Sequence, residues 1–109
     1  MARGTGCAGF AESLRCGSEL AVMKAVLCKR FGPPESLVVE EVPSPAVGAG
    51  QVRIAVHACG VNFPDTLIIQ DKYQFKPPLP FTPGGEVAGT IVEVGAGVTR
   101  VQLGDRVIA

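Results

Sequence analysis

The sequence has no tryptophan, one tyrosine and one histidine, and charged residues make up only 18% of it. Ten basic residues offset ten acidic ones, so the formal net charge is zero. Without a cationic excess there is no electrostatic case for binding nucleic acid or an anionic membrane surface. Long apolar runs are missing too. Lys24 breaks the most apolar N-terminal stretch, and Arg53 and His57 break the most apolar internal one. Neither approaches the ~20 residues of a helical bilayer crossing. The four cysteines, Cys7, Cys16, Cys28 and Cys59, contain no CxxC pair. That spacing argues against a zinc knuckle and against a dense disulfide framework. It reads as a set of reduced thiols in a cytoplasmic protein.

What is present is enough for one folded domain. Hydrophobic residues make up 47% of 109 positions, which allows a core but not two separate ones. Residues 1–22 differ from the rest. They lack strand alternation, and their apolar stretches are too short for a secretory signal. Arg3 and Arg15 suggest a transit peptide, but Glu12 and Glu19 oppose it. This segment is read as a disordered N-terminal extension, with Met23 the natural start of a domain over 23–109. Gly4 to Gly9 satisfies GxGxxG, yet only three residues precede Gly4. A dinucleotide fingerprint needs a buried strand there to aim the following helix at the pyrophosphate, so the match is discarded.

From Met23 the pattern is β. Lys24–Cys28 is a strand closed by Gly32-Pro33-Pro34, and Leu37–Val42 is a second, stopped by Pro43 and Pro45. Gln51–Cys59 alternates, with Val52, Ile54, Val56 and Ala58 on one face and Arg53, Ala55, His57 and Cys59 on the other. His57 thereby reads as a solvated strand residue. Asn62-Phe63-Pro64-Asp65 is a helix start: an Asn cap, proline in the first turn and a carboxylate near the positive helix end. The helix runs through Thr66–Gln70 and ends near Asp71-Lys72. Pro77, Pro78, Pro80 and Pro83 stiffen the next loop. Gly84-Gly85 permits positive φ or close backbone approach. Val87–Val94 is a strand in which Gly89 marks a bulge or a close contact. A last strand begins at Val107 and is cut at Ala109, which suggests a larger protein. These short strands, Gly/Pro turns and one brief helix indicate a mainly β, barrel-like domain.

Four motifs carry a family resemblance: VNFPD at Val61–Asp65, KPPLPFTPG at Lys76–Gly84, EVAGTIVEVG at Glu86–Gly95 and GDRV at Gly104–Val107. In this order and spacing, residues 23–109 resemble the N-terminal, GroES-like domain of the medium-chain dehydrogenase/reductase superfamily. The zinc-free quinone oxidoreductases, the zeta-crystallin-like group, are most similar. The resemblance implies a partly open β-barrel with one short helix, truncated before a Rossmann domain that would hold the cofactor. It also implies NADPH as hydride donor, a quinone or other conjugated carbonyl compound as acceptor, and a homodimeric parent.

Zinc-dependent members carry a cysteine ligand in a CGxCxxD-like segment and a histidine ligand in a GHE segment. Here those places hold Asn62 and Gly85. An amide substitutes poorly for a thiolate and glycine has no side chain, so no catalytic zinc is expected. The resemblance assigns Asn62 to hydrogen bonding near the acceptor or the nicotinamide, and Tyr73 to proton donation or ring stacking. Asn62 can equally serve as the helix cap, and Tyr73 as packing at a loop edge. Phe63, Leu67 and Phe81 are candidate walls of an apolar substrate cleft. Relatives often have tyrosine where Leu67 stands, so leucine implies a more apolar cleft. Asp65 and Glu86 read as structural carboxylates, Glu86 pairing with a backbone amide or an arginine. Without the Rossmann half, the chain by itself is expected to be inactive. A second possibility is a standalone GroES-like binding or assembly module. Against it, the loop Gln74–Pro83, where a co-chaperonin would need a mobile apolar segment, is stiffened by four prolines.

Overall fold

The computed structural model describes residues 22–109. Residues 1–21 of the N-terminal extension, with the Gly4–Gly9 pattern, Cys7 and Cys16, lie outside the described residues, whereas Val22, the last residue assigned to that extension, is the first of β1.

The first two strands form an antiparallel pair. β1 (Val22–Leu27) and β2 (Val38–Pro43) run in register from Val22 opposite Pro43 to Leu27 opposite Val38, joined through a 3-10 turn at Pro34–Ser36. Pro43 does not stop the second strand before it, as the sequence suggests, but ends it. As the terminal residue of an edge strand it has no ladder donation to lose. The remaining strands, β3 (Val52–Gly60), β4 (Glu86–Val94) and β5 (Arg106–Ile108), form an antiparallel sheet in that order. The architecture is mainly β with one helix, as expected. The strands stand in two open sheets and do not close into a ring.

Among the described residues, the β1–β2 pair is joined to the rest by a bridge just past β1 and by a bond beyond β2. Cys28, just past β1, exchanges backbone hydrogen bonds with Phe81 in the proline-rich loop, at 2.8 and 3.2 Å. Two residues from the next turn add to it: the Gly32 N–H donates to the Ile69 carbonyl at 2.9 Å, and the Phe31 and Phe81 rings lie tilted with centroids 6.4 Å apart. Arg53, in β3, donates to the Pro45 carbonyl and pairs with Glu93 across the sheet, both at 2.5 Å, which holds the proline segment against the strand.

The alternation read along β3 is interrupted. The β3–β4 ladder shifts register between Arg53 and Ile54 and again between Val56 and Ala58. In the second shift His57 has no opposite residue and is the bulged position. A bulge adds one residue to one strand and exchanges the faces beyond it. Ala58, assigned by strict alternation to the buried face, is accordingly exposed. Opposite Val56 lies Gly89, where the close contact expected from the sequence is present: a Cβ there would stand 2.2 Å from the Ala55 carbonyl oxygen.

The single helix, α1 (Phe63–Ile68), is short, but its end is well built. Asp71 adopts φ 59°, its N–H donates to Ile68 O at 3.1 Å, and the Lys72 N–H reaches Leu67 O at 2.9 Å. This pair of bonds around a left-handed residue is the Schellman closure. Lys76 caps the arrangement, donating to both the carbonyl (2.9 Å) and the carboxylate (2.6 Å) of Asp71. The helix itself ends at Ile68, short of the Gln70 expected from the sequence, and the residues up to Asp71-Lys72 form its closing turn.

Few side chains are fully enclosed. Among the described residues Ala25, Cys28, Ile69 and Ile91 form the buried apolar core, drawn from β1, the end of α1 and β4. Cys28 is fully buried, with Sγ directed at the Arg30 carbonyl (3.2 Å), and burial pushes its thiol above the ordinary cysteine range. Thiolate is the reactive form, so a buried thiol with a raised pKa reacts slowly. With iodoacetamide at neutral pH, mass spectrometry is expected to find Cys59, which is half-buried, alkylated well before Cys28. Cys28 should label only when denaturant is added, and early labelling of Cys28 would contradict the packing described.

Candidate functional site

Three elements converge where β3 ends, α1 begins and β4 begins. Gly60, the last residue of β3, pairs in register with Glu86, the first of β4. Asn62, at the N-cap of α1 in extended conformation (φ −120°, ψ 159°), stands just beyond. Asp65 anchors that turn. Its carboxylate accepts the Asn62 backbone N–H at 2.8 Å, and its own N–H donates to the Asn62 carbonyl at 3.0 Å. This is a capping box, Asn62 and Asp65 each facing the other's backbone N–H in the first turn. Asp65 is thus structural, as read from the sequence.

The Asn62 side chain also reaches across to β4. Its Nδ2 donates to Glu86 Oε2 at 2.9 Å. The sequence reading gave Glu86 a backbone amide or an arginine as partner; one hydrogen bond to it comes from the Asn62 side-chain amide. The partnership is long-range, 24 residues apart, and no local spacing rule reveals it. An ionised carboxylate can only accept, so the amide must present its nitrogen. The bond also brings the start of α1 beside the Gly84-Gly85 pair, because Gly85 is the residue before Glu86. Gly84 has φ 104° and needs to be glycine for that reason, whereas a Cβ on Gly85 would meet nothing within 4 Å. No group of three or more His, Cys, Asp or Glu side chains that could hold a metal ion occurs among the described residues.

The other candidate residues are spread around this corner. Phe63, next to Asn62, is 74% exposed. Leu67 is half-buried on α1, and Tyr73 is half-buried in the bend that follows the helix closure. Asn62 and Tyr73 thus flank α1 at opposite ends, and among the described residues no hydrogen bond joins them. Phe81 is half-buried and held by the Cys28 bridge and the Phe31 ring. A broad open depression of about 740 Å³ lies elsewhere, on β3, β4 and β5, lined among others by His57, Thr90, Arg106 and Val107. None of the five candidates lines it. His57 is exposed, with Nε2 3.3 Å from Thr90 Oγ1, in keeping with the solvated role read from the sequence.

A dinucleotide cradle needs a buried strand leading through a glycine-rich turn into a helix. Among the described residues the only α-helix follows VNFPD, not a glycine-rich turn, and it is six residues long. These residues do not form such a cradle by themselves.

Comparison with known proteins places this corner in a family. The family description "Alcohol dehydrogenase GroES-like domain" matches residues 48–109. The chain is 52% identical over 86 residues to quinone oxidoreductase-like protein 2 homolog of Nematostella vectensis, covering 78% of this chain and 23% of that protein. It is 48% identical over 87 residues to the quinone oxidoreductase of Rattus norvegicus, covering 79% of this chain and 26% of that one. Among solved structures, the Escherichia coli quinone oxidoreductase complexed with NADPH superposes with a TM-score of 0.74 at 33% identity, over 78% of this chain and 26% of that chain. The chain spans about a quarter of the length of these relatives. It belongs to the alcohol dehydrogenase GroES-like domain family.

Proposed function

We propose that this chain forms the substrate-side wall of a zinc-independent, NADPH-dependent reductase of quinones or other conjugated carbonyl compounds. One observation carries the reading. The 2.9 Å bond from Asn62 to Glu86 brings the two former ligand segments side by side, and they present an amide and an open glycine where zinc relatives present a thiolate and an imidazole. Such a corner cannot polarise a carbonyl through a metal, but it can donate a hydrogen bond to one. NADPH, held by the part of the enzyme that corresponds to the remaining three quarters of the relatives, would supply the hydride. In this chain, the Asn62 amide would hold the acceptor oxygen and Tyr73 would donate a hydrogen bond or stack on a planar ring. Phe63, Leu67 and Phe81 would keep water from the acceptor's apolar face. The same reading makes the parent enzyme a homodimer in the cytoplasm, in keeping with the thiols of Cys28 and Cys59, which are not joined in a disulfide.

Two measurements test it. The 109-residue chain titrated with NADPH is expected to show no micromolar affinity and no turnover. Grafted in place of the matching segment of the rat quinone oxidoreductase, it is expected to support quinone-dependent NADPH oxidation that EDTA does not diminish. In that chimera Asn62→Ala should lower kcat/KM about tenfold, the loss expected for one hydrogen bond made in the transition state. Micromolar NADPH binding by the chain alone, or activity abolished by EDTA, would sink the reading.

A further inference from the structure

The Asn62–Glu86 contact has a third member. Gly60 faces Glu86 across the β3–β4 ladder, and a Cβ built on Gly60 would lie 2.9 Å from the Glu86 Cδ, 3.0 Å from Oε2 and 3.2 Å from Oε1. The carboxyl group therefore lies directly over the glycine, in the space any other side chain would fill. From there Oε2 accepts the Asn62 amide. A backbone vacancy on one strand admits a carboxylate from the next, and that carboxylate fixes an amide at the head of the helix.

Resting on the reading of Asn62 as the substrate-facing amide, we propose that Glu86 is its positioning residue, and that Gly60 is what lets Glu86 take that place. One amide N–H bonded to a carboxylate prevents rotation about the Cβ–Cγ bond. The second N–H is then delivered in a fixed direction, so the group acts on a ligand as a donor. A donor beside a carboxylate suits a neutral acceptor oxygen, as in a ketone or quinone, and disfavours an anionic one through like-charge repulsion. The inferred specificity is for uncharged carbonyl oxygens over carboxylates and phosphates.

The test uses the intact chain, ¹⁵N-labelled, with the Asn62 side-chain amide protons as the readout. Gly60→Ala is the informative variant. It alters neither partner, and the atoms it displaces are the end of a flexible side chain, so the fold should tolerate it. The Asn62 amide proton bonded to Glu86 is expected to lose its hydrogen-bond downfield shift in Gly60→Ala and in Glu86→Ala, and to recover part of it in Glu86→Gln, which restores an acceptor oxygen. A merely structural Glu86 would not produce that rescue. Titrated with duroquinone, the unsubstituted chain should show shifts at the Asn62 side chain. Apparent affinity should fall about fivefold in Gly60→Ala, as the loss of one net hydrogen bond implies. Asn62 amide signals unchanged in both alanine variants would overturn the positioning role and leave the ligand contact standing. Duroquinone that leaves Asn62 unmoved in the unsubstituted chain would overturn the proposed function itself, and the specificity with it.

Discussion

Gly89→Ala is expected to abolish most of the folded population at 37 °C. The added Cβ would lie 2.2 Å from the Ala55 carbonyl oxygen, 2.7 Å from Ile54 Cγ2 and 2.9 Å from the Ala55 carbonyl carbon. Two of those three atoms are backbone in the neighbouring strand, so no rotamer change relieves the overlap. The strands would have to separate in the middle of the β3–β4 ladder, beside the register shift at His57. Overpacking in a tight interior costs about 1–3 kcal/mol and sometimes more, and rigid backbone puts this case at the upper end. For a domain of this size about 3 kcal/mol lowers the melting temperature by on the order of 15 °C. Gly85→Ala is the matched control: its Cβ meets nothing within 4 Å, and its thermal unfolding should follow that of the unsubstituted chain. If circular dichroism gives Gly89→Ala a melting temperature within a few degrees of that control, the close approach is not what makes glycine necessary there.

Ile91→Ala should be nearly as damaging for the opposite reason. Ile91 is 2% exposed and is one of two large side chains that are essentially fully enclosed among the described residues. Its backbone also ties β4 to the turn before β5: the N–H donates to Asp105 O and the carbonyl accepts from Gly104, each at 2.9 Å. Alanine keeps those bonds but leaves a cavity. Such truncations cost about 2–5 kcal/mol, whereas Ile→Val costs about 0.5–1.5 kcal/mol. With so few enclosed residues, no neighbouring core can absorb the loss. In urea unfolding the midpoint of Ile91→Ala is expected to fall by on the order of 2 M, with Ile91→Val losing a third of that or less. Equal midpoints for the two variants would show that Ile91 is not a packing centre.

Both positions bear on how much could be read beforehand. Gly89 was legible because a glycine within an otherwise β-branched run has few explanations, and close approach is one. The helix at Asn62–Asp65 was legible for a similar reason, as cap, proline and carboxylate all act within one turn. The ladder shifts were not. A bulge at His57 depends on how β3 meets β4, and these are separated by a loop of 25 residues whose length sets no register. Strict alternation therefore put Ala58 on the wrong face. The same distance hid the Asn62–Glu86 pair. Each residue was singled out, but only the pairing of Gly60 with Glu86 across the sheet shows that they meet. The family was readable from four motifs, three at a helix start, a proline loop and a turn, and the fourth along β4, where Gly89 must be glycine for the strands to approach.

The junction between the two sheets has a consequence for how the molecule opens. β1 and β2 hydrogen-bond to each other, and they are tied to the rest at the Cys28–Gly32 end through Phe81 and Ile69 and beyond Pro43 through the Arg53–Pro45 bond. Hydrogen-exchange protection within a protein follows such local connectivity. The hairpin is therefore fastened at the Cys28–Gly32 end and again just past Pro43, where Arg53 holds Pro45 against β3, and its exchange should follow both ties. Phe81 makes the first of these ties and is also a candidate wall of the substrate cleft. Release of the hairpin would loosen Phe81 from behind, coupling the stability of the β1–β2 pair to the shape of the candidate cleft.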